Sequence, residues 1–279
     1  MVAPLRRVLV RPPDAAFGAA DPVLWHYSAA PDLARARREH EAFVRILAAA
    51  GVEILRHEAR LDGLADAMYV HDPVLVTARG TVVLRMGKPA RRGEEAAIAH
   101  RLSEDGVPTC YELRGDATAE GGDCLWLDEN TLAVGLGFRT NAAGLAQLSQ
   151  ALGPSMSVVP VELPYYQGPA ACLHLMSLIS LVDRDLAVVY LPLLPVPFYE
   201  RLLSRGIELI SVPAEEFATM GTNVLAIGPR HCIMLAGNPV TQGRLVAAGC
   251  RVETYEGAEV SLNAEGGPTC LTRPVWRSW

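Results

Sequence analysis

The sequence predicts an α/β fold, a five-fold pseudo-symmetric ring built from repeats of strand, strand, helix and strand. Three observations carry this. Pairs of short apolar runs joined by a polar turn recur along the 279 residues. Each pair is followed by an amphipathic stretch and one more apolar run, at a spacing of about 50 residues. One short motif recurs almost literally, AEGGD at 119–123 and AEGGP at 264–268, as close backbone approaches at equivalent places would require. The competing architecture is an ordinary doubly wound sheet.

The elements follow in order. MYVHDPVLVTARGTVVLRMG (68–87), GGDCLWLDENTLAVGLG (121–137), LHLMSLISLVDRDLAVVYLP (173–192) and TNVLAIGPRHCIMLAG (222–237) each read as a strand pair. Their turns hold Arg-Gly, Asp-Glu-Asn, Asp-Arg-Asp and Gly-Pro-Arg, and their runs are Val-, Ile- and Leu-rich. Residues 31–50 read as a helix with Leu33, Ala36, Phe43, Leu47 and Ala50 on one face and Arg and Glu opposite. Gly51 stops it, and 52–55 reads as a strand. The same order recurs with helices at 93–105, 141–152, 197–205 and 239–248, before strands at 109–113, 157–163, 207–212 and 251–255. Gly106, Gly206 and Gly249 supply further left-handed helix stops. Four repeats are thus complete. The fifth must join 266–276 to 6–12, giving one domain over 1–279 whose two ends close the ring and leave no open sheet edge.

Composition excludes several functions. With net charge −6 and no basic run longer than an Arg pair, the chain lacks the electrostatic footprint of a nucleic-acid binder. No apolar stretch reaches 18 residues, so no membrane partner is expected. The N-terminal segment does not read as a signal peptide, so a cytoplasmic location with six free thiols is expected. The cysteines form no C-x-x-C pair, so no zinc site and no other metal or cofactor is expected.

A ring of repeats brings equivalent loops to one mouth. The polar residues at those places are Asp66, Asp72, Glu120, Asp123, His174, Asn223 and Cys270. A thiol nucleophile needs a group that makes thiolate available and one that protonates the leaving atom, and a carboxylate-oriented histidine supplies the second. Each residue also has a plainer reading. Buried cysteines are mostly inert, a histidine heading an apolar run is more often structural, and Asp72-Pro73 can simply open a turn. Their shared position at successive repeats favours chemistry.

The motifs ADAMYVHDP, KPARRGE, AEGGD, FRTNAAG, HLMS and GGPTCLTRP together resemble the guanidino-group-modifying superfamily, the penteins, over essentially the whole chain. The chain is most similar there to the dimethylarginine dimethylaminohydrolases. The resemblance implies a cysteine hydrolase that converts N-methylated or dimethylated arginine to citrulline and an amine through a covalent thiouronium. It implies Cys270 as nucleophile, His174 as general acid/base and Glu120 as the carboxylate that orients it. It implies Asp72 on the guanidinium, Asp66 as a second polar contact, and Arg92 and Arg139 on the α-carboxylate, with Arg91 an equal competitor for Arg92. A small guanidino compound is the implied partner, in a possible homodimer.

Two departures bear on the substrate. The superfamily's deiminases and amidinotransferases carry His-x-Asp where this chain has His174-Leu175-Met176, which favours an alkylated guanidine or one held by fewer acids. His71 stands where the dimethylarginine enzymes often have an acid, leaving the N-substituent open. The alternatives are an arginine deiminase, an amidinotransferase and a non-catalytic pentein that acts by binding. Residues 13–31 form a long loop whose Trp25 and Tyr27 either close over the site as a lid or pack on the surface.

Overall fold

A computed structural model describes residues 1–278 and contains five three-stranded sheets of one design. In each, the middle strand pairs antiparallel with one neighbour and parallel with the other. Val74–Thr77 and Gly80–Val83 form a hairpin, and Thr109–Glu112 returns parallel after helix Glu94–Glu104. Cys124–Trp126, Thr131–Leu136 and Ser157–Glu162 repeat this around helix Ala142–Leu152. So do Ile179–Asp183, Leu186–Val189 and Glu208–Ser211 around helix Val196–Ser204. Val224–Gly228, His231–Leu235 and Arg251–Tyr255 do so around helix Pro239–Ala247. In the fifth sheet Arg273–Arg277 lies antiparallel to Leu5–Val10, and Glu53–Arg56 lies parallel after helix Leu33–Ala49. A parallel return needs a crossover, and the helix is that crossover.

The hydrophobic pattern explains the layering. The middle strands Gly80–Val83 and Leu186–Val189 are buried at every position, as strands covered on both faces must be. The helices cover them with one apolar stripe each. In Leu33–Ala49, Ala36, Phe43 and Leu47 are fully buried. Gly51, Gly106, Gly206 and Gly249 follow their helices with φ of 79°, 80°, 73° and 81°, the left-handed stop that favours glycine.

Three local features differ from the expectation. The 13–31 segment holds two one-turn helices, Ala15–Gly18 and Pro22–Trp25, capped by the Asp14 and Asp21 side chains. Four residues are too few to show a 3.6-residue period. Glu39, on the face expected to be polar, is buried. Glu39 accepts the backbone N–H groups of Glu259 (2.8 Å) and Val260 (3.2 Å), which open a wide helical turn, Ala258–Asn263. Ala50, expected on the apolar face, is exposed beyond the helix end. No helix among the described residues is long and apolar enough to cross a membrane.

Candidate active site

Each sheet contributes one polar side chain from the segment beside its outer strand: Asp72, Glu120, His174, Asn223 and Cys270. Asp72, His174, Asn223 and Cys270 line one cavity of about 200 Å³. Glu120 is fully buried behind His174.

His174 caps the N-terminus of the one-turn helix Leu175–Leu178, and its backbone N–H donates to Ser177 Oγ at 3.1 Å. Its ring Nε2 lies 2.7 Å from Glu120 Oε2. Two further bonds hold the start of that helix and its surroundings. Asp123 accepts the Leu175 N–H at 2.9 Å and the Thr140 hydroxyl at 2.6 Å. Gly122 lies flat against the imidazole, and a Cβ there would overlap the ring. Gly121 lies equally close to the His71 carbonyl, so both glycines of AEGGD are required by contact. Burial works against a charged imidazole, but Cys172, Asp123 and Asp72 outweigh it and hold the His174 pKa well above its usual value. Burial likewise opposes a charged Glu120, yet the bond to His174 keeps it below the usual carboxylate range. The pair therefore rests as imidazolium and carboxylate.

Cys270 sits in the second Gly-Gly turn. The Gly266 backbone presses on the Tyr69 ring and that of Gly267 on the Asn223 side chain, again with no room for a Cβ. The Cys270 carbonyl accepts the His71 N–H at 3.3 Å. Burial, followed by the Asp72 charge, pushes the Cys270 thiol up to about 11, while His174 and a hydrogen bond from Asn223 pull it back. The resting nucleophile is thus a thiol, and a cation arriving beside it would favour the thiolate.

The remaining residues divide. Asp72 accepts the Gly122 N–H at 2.9 Å and Arg91 Nη1 at 2.7 Å, and despite burial His174 and Arg91 hold it ionised. Asp66 accepts from the Tyr27 hydroxyl at 2.8 Å and from Lys88 Nζ at 2.6 Å, and it lines the cavity. Arg139 also lines the cavity, with Nη1 3.6 Å from Glu120. Trp25 forms part of the cavity wall, whereas Tyr27 is buried against Phe17.

Four residues lie differently from the expectation. Arg92 is exposed, donates Nε to the Met86 carbonyl at 3.2 Å and forms no part of the cavity wall. Its neighbour Arg91 does face inward, but it is committed to Asp72, Glu94 and the Tyr69 carbonyl, so it braces acids instead of awaiting a carboxylate. His71 is buried away from the cavity with Nδ1 2.9 Å from the Thr272 carbonyl. Burial and Arg273 lower its pKa to about 3, so it is a neutral structural group. Met176 is buried in the core and is not on the cavity wall, so that position does not report on the substrate.

Lys88 was missed. Its Nζ pairs with Asp66 and lies 4.8 Å from the centre of the Trp25 ring. Asp72, Glu120 and His174 each place one possible ligand atom within 4.8 Å of the others, the one such cluster among the described residues. The Arg91 and Arg139 charges beside those carboxylates disfavour a divalent cation there.

Comparison with known proteins gives a consistent picture. The family model described as N,N dimethylarginine dimethylhydrolase, eukaryotic, matches residues 25–241. The N(G),N(G)-dimethylarginine dimethylaminohydrolase of Pseudomonas aeruginosa is 28% identical over 247 residues, covering 87% of this chain and 89% of that protein. A Pseudomonas aeruginosa DDAH structure with citrulline superposes with a TM-score of 0.78 at 24% identity, covering 96% of this chain and 98% of that one. An arginine deiminase of Listeria welshimeri is 29% identical over 261 residues, 78% of this chain and 63% of that protein. The product-bound N-terminal domain of ArgZ, a cyanobacterial arginine dihydrolase, superposes with a TM-score of 0.82 at 22% identity, covering 97% of each chain. The structural matches establish the five-unit pentein fold.

Proposed function

The chain belongs to the N,N-dimethylarginine dimethylhydrolase family, hydrolases of C–N bonds in linear amidines, and from that premise we propose that it converts N-methylated or dimethylated arginine to citrulline and an amine. The observation that carries this reading is a thiol, a carboxylate and a charged imidazole on the wall of one small cavity: Cys270, Asp72 and His174.

The chemistry follows from the resting charges. The substrate guanidinium, a planar cation, lies between Cys270 and Asp72. Asp72 has lone pairs left beyond those used by Gly122 and Arg91, so it can accept guanidinium N–H groups. The cation lowers the cost of ionising Cys270, whose thiolate Asp72 otherwise disfavours, and the thiol proton leaves to solvent because His174 already carries its own. The thiolate attacks the guanidinium carbon and forms an S–C bond. His174 gives its proton to the leaving amine nitrogen, the C–N bond breaks, and a thiouronium remains on Cys270. The now neutral His174 takes a proton from water, whose oxygen adds to the same carbon. The S–C bond then breaks, the added hydroxyl gives up its proton to solvent, and the thiolate returns with a urea-bearing product. Glu120 stabilises the imidazolium and holds the ring in place. With Arg91 and Arg92 otherwise placed, Lys88 and Arg139 are the cations that meet the α-carboxylate. The same reading takes the whole chain as one catalytic domain.

A second reading is plain arginine deimination, the activity named for the Listeria welshimeri relative, and Met176 does not weigh against it. That side chain looks into the core, so the absence of an acid there does not disfavour unsubstituted arginine. A panel of arginine, monomethylarginine, dimethylarginine, agmatine and guanidino acids, assayed for citrulline and for the released amine, separates the two. Methylated substrates are expected to win by kcat/KM, and a Cys270→Ser variant is expected to be inactive. Preference for arginine with ammonia release would favour deimination, and full turnover by the serine variant would refute the mechanism.

A further inference from the structure

Four of the five residues around the ring have roles in this chemistry: Asp72, Glu120, His174 and Cys270. The fourth repeat places Asn223 at the equivalent position, at the head of strand Val224–Gly228 and on the cavity wall. Its carboxamide spans the nucleophile's turn. Oδ1 accepts the Thr269 N–H at 3.1 Å, and Nδ2 donates to Cys270 Sγ at 3.4 Å. The first bond fixes which end of the amide is which, because only the oxygen can accept an N–H. Asn223 is itself held, since its N–H donates to the Met220 carbonyl at 2.9 Å and Gly267 packs against its side chain.

We propose that Asn223 is a positioning residue for the nucleophile, aiming Cys270 Sγ into the cavity and stabilising its thiolate before and after the guanidinium is present. This rests on reading Cys270 as the nucleophile. The charged and titratable groups around that sulfur are Asp72, which opposes the thiolate, His174, which favours it, and the phenols of Tyr69 and Tyr255. Tyr69 donates its hydroxyl to the Val260 carbonyl and Tyr255 shares one with Ser261. Asn223 is the one neutral side-chain donor recorded on the sulfur among the described residues. A neutral donor suits a site that must admit a cation, because it supports the thiolate without repelling the substrate.

The test measures the pH dependence of Cys270 alkylation by iodoacetamide, read at that residue by peptide mass spectrometry. Asn223→Asp keeps the size and the oxygen that Thr269 needs but replaces the donor with an anion. Asn223→Ser keeps a hydroxyl donor. The alkylation midpoint is expected to rise by about one unit in the aspartate variant, about tenfold less thiolate at a given pH, and by less in the serine variant. With the preferred guanidino substrate, kcat should fall about tenfold in the aspartate variant and recover partly in the serine one. A midpoint in Asn223→Asp equal to that of the unaltered protein, with the fold intact by circular dichroism, overturns the proposal. Alkylation is read without turnover, so this outcome is independent of whether Cys270→Ser abolishes activity.

Discussion

Glu120→Gln isolates what the Glu120–His174 pair does. Both groups are buried, with 2.7 Å between Oε2 and Nε2. Two unit charges about 4 Å apart interact by about 4 kcal/mol at an effective dielectric near 20, and losing one partner of a buried pair costs about 3–5 kcal/mol. Removing the carboxylate charge therefore lowers the His174 titration. His174 lies above its usual pKa, held there by Cys172, Asp123 and Asp72 against burial, and the pair depresses that of Glu120. Its stabilisation is therefore full between the unfolded values of about 4.3 and 6.5. It fades as pH rises through the folded value of His174 or falls through that of Glu120. The assay is an NMR titration of the His174 ring together with the pH dependence of kcat. The glutamine variant should show a lower His174 midpoint and a kcat reduced about 10²–10⁴-fold, the usual worth of a positioned general acid. An unchanged midpoint with kcat within about threefold would show that Glu120 does not set the charge of His174.

Other predictions follow from the same geometry. Gly122→Ala places a methyl group in the His174 ring, so turnover should fall at least about a hundredfold with the sulfur still alkylatable at Cys270. Unaltered kinetics would show the ring is free to move aside. Arg91→Met leaves Asp72 and Glu94 buried without their cation, which should destabilise the protein by about 3–5 kcal/mol in urea denaturation, whereas exposed Arg92→Ala should cost under about 0.5 kcal/mol. Equal losses for the two arginines would reverse the assignment of inward and outward side chains.

The architecture was legible because it repeats. Five rounds of one pattern constrain each other, and the five long helices fall within two residues of their expected ranges, whereas the strand pairs expected at 68–87 and 173–192 are shorter, at 74–83 and 179–189. The paired glycines were legible for the same reason, and contacts at Gly121, Gly122, Gly266 and Gly267 explain them. Orientation at single residues was not legible. A 3₁₀ turn, Pro89–Arg91, sends Arg91 inward and Arg92 outward, and adjacency in sequence carries no such information. The one-turn helix after His174 rotates Met176 into the core, so a linear comparison with His-x-Asp misplaces it. Lys88 reaches Asp66 across 22 positions, around the Val74–Val83 hairpin, and Glu39 reaches Val260 across 221, a pairing set by ring closure.

The central claim is that Cys270 forms a covalent bond to the guanidinium carbon. Acid-quenching the enzyme during turnover of dimethylarginine and mapping the trapped adduct by peptide mass spectrometry tests it most directly. An amidino adduct on Cys270, absent in Cys270→Ser, is the predicted result. Turnover with no adduct, or an adduct on Cys172 with Cys270 unmodified, would contradict it.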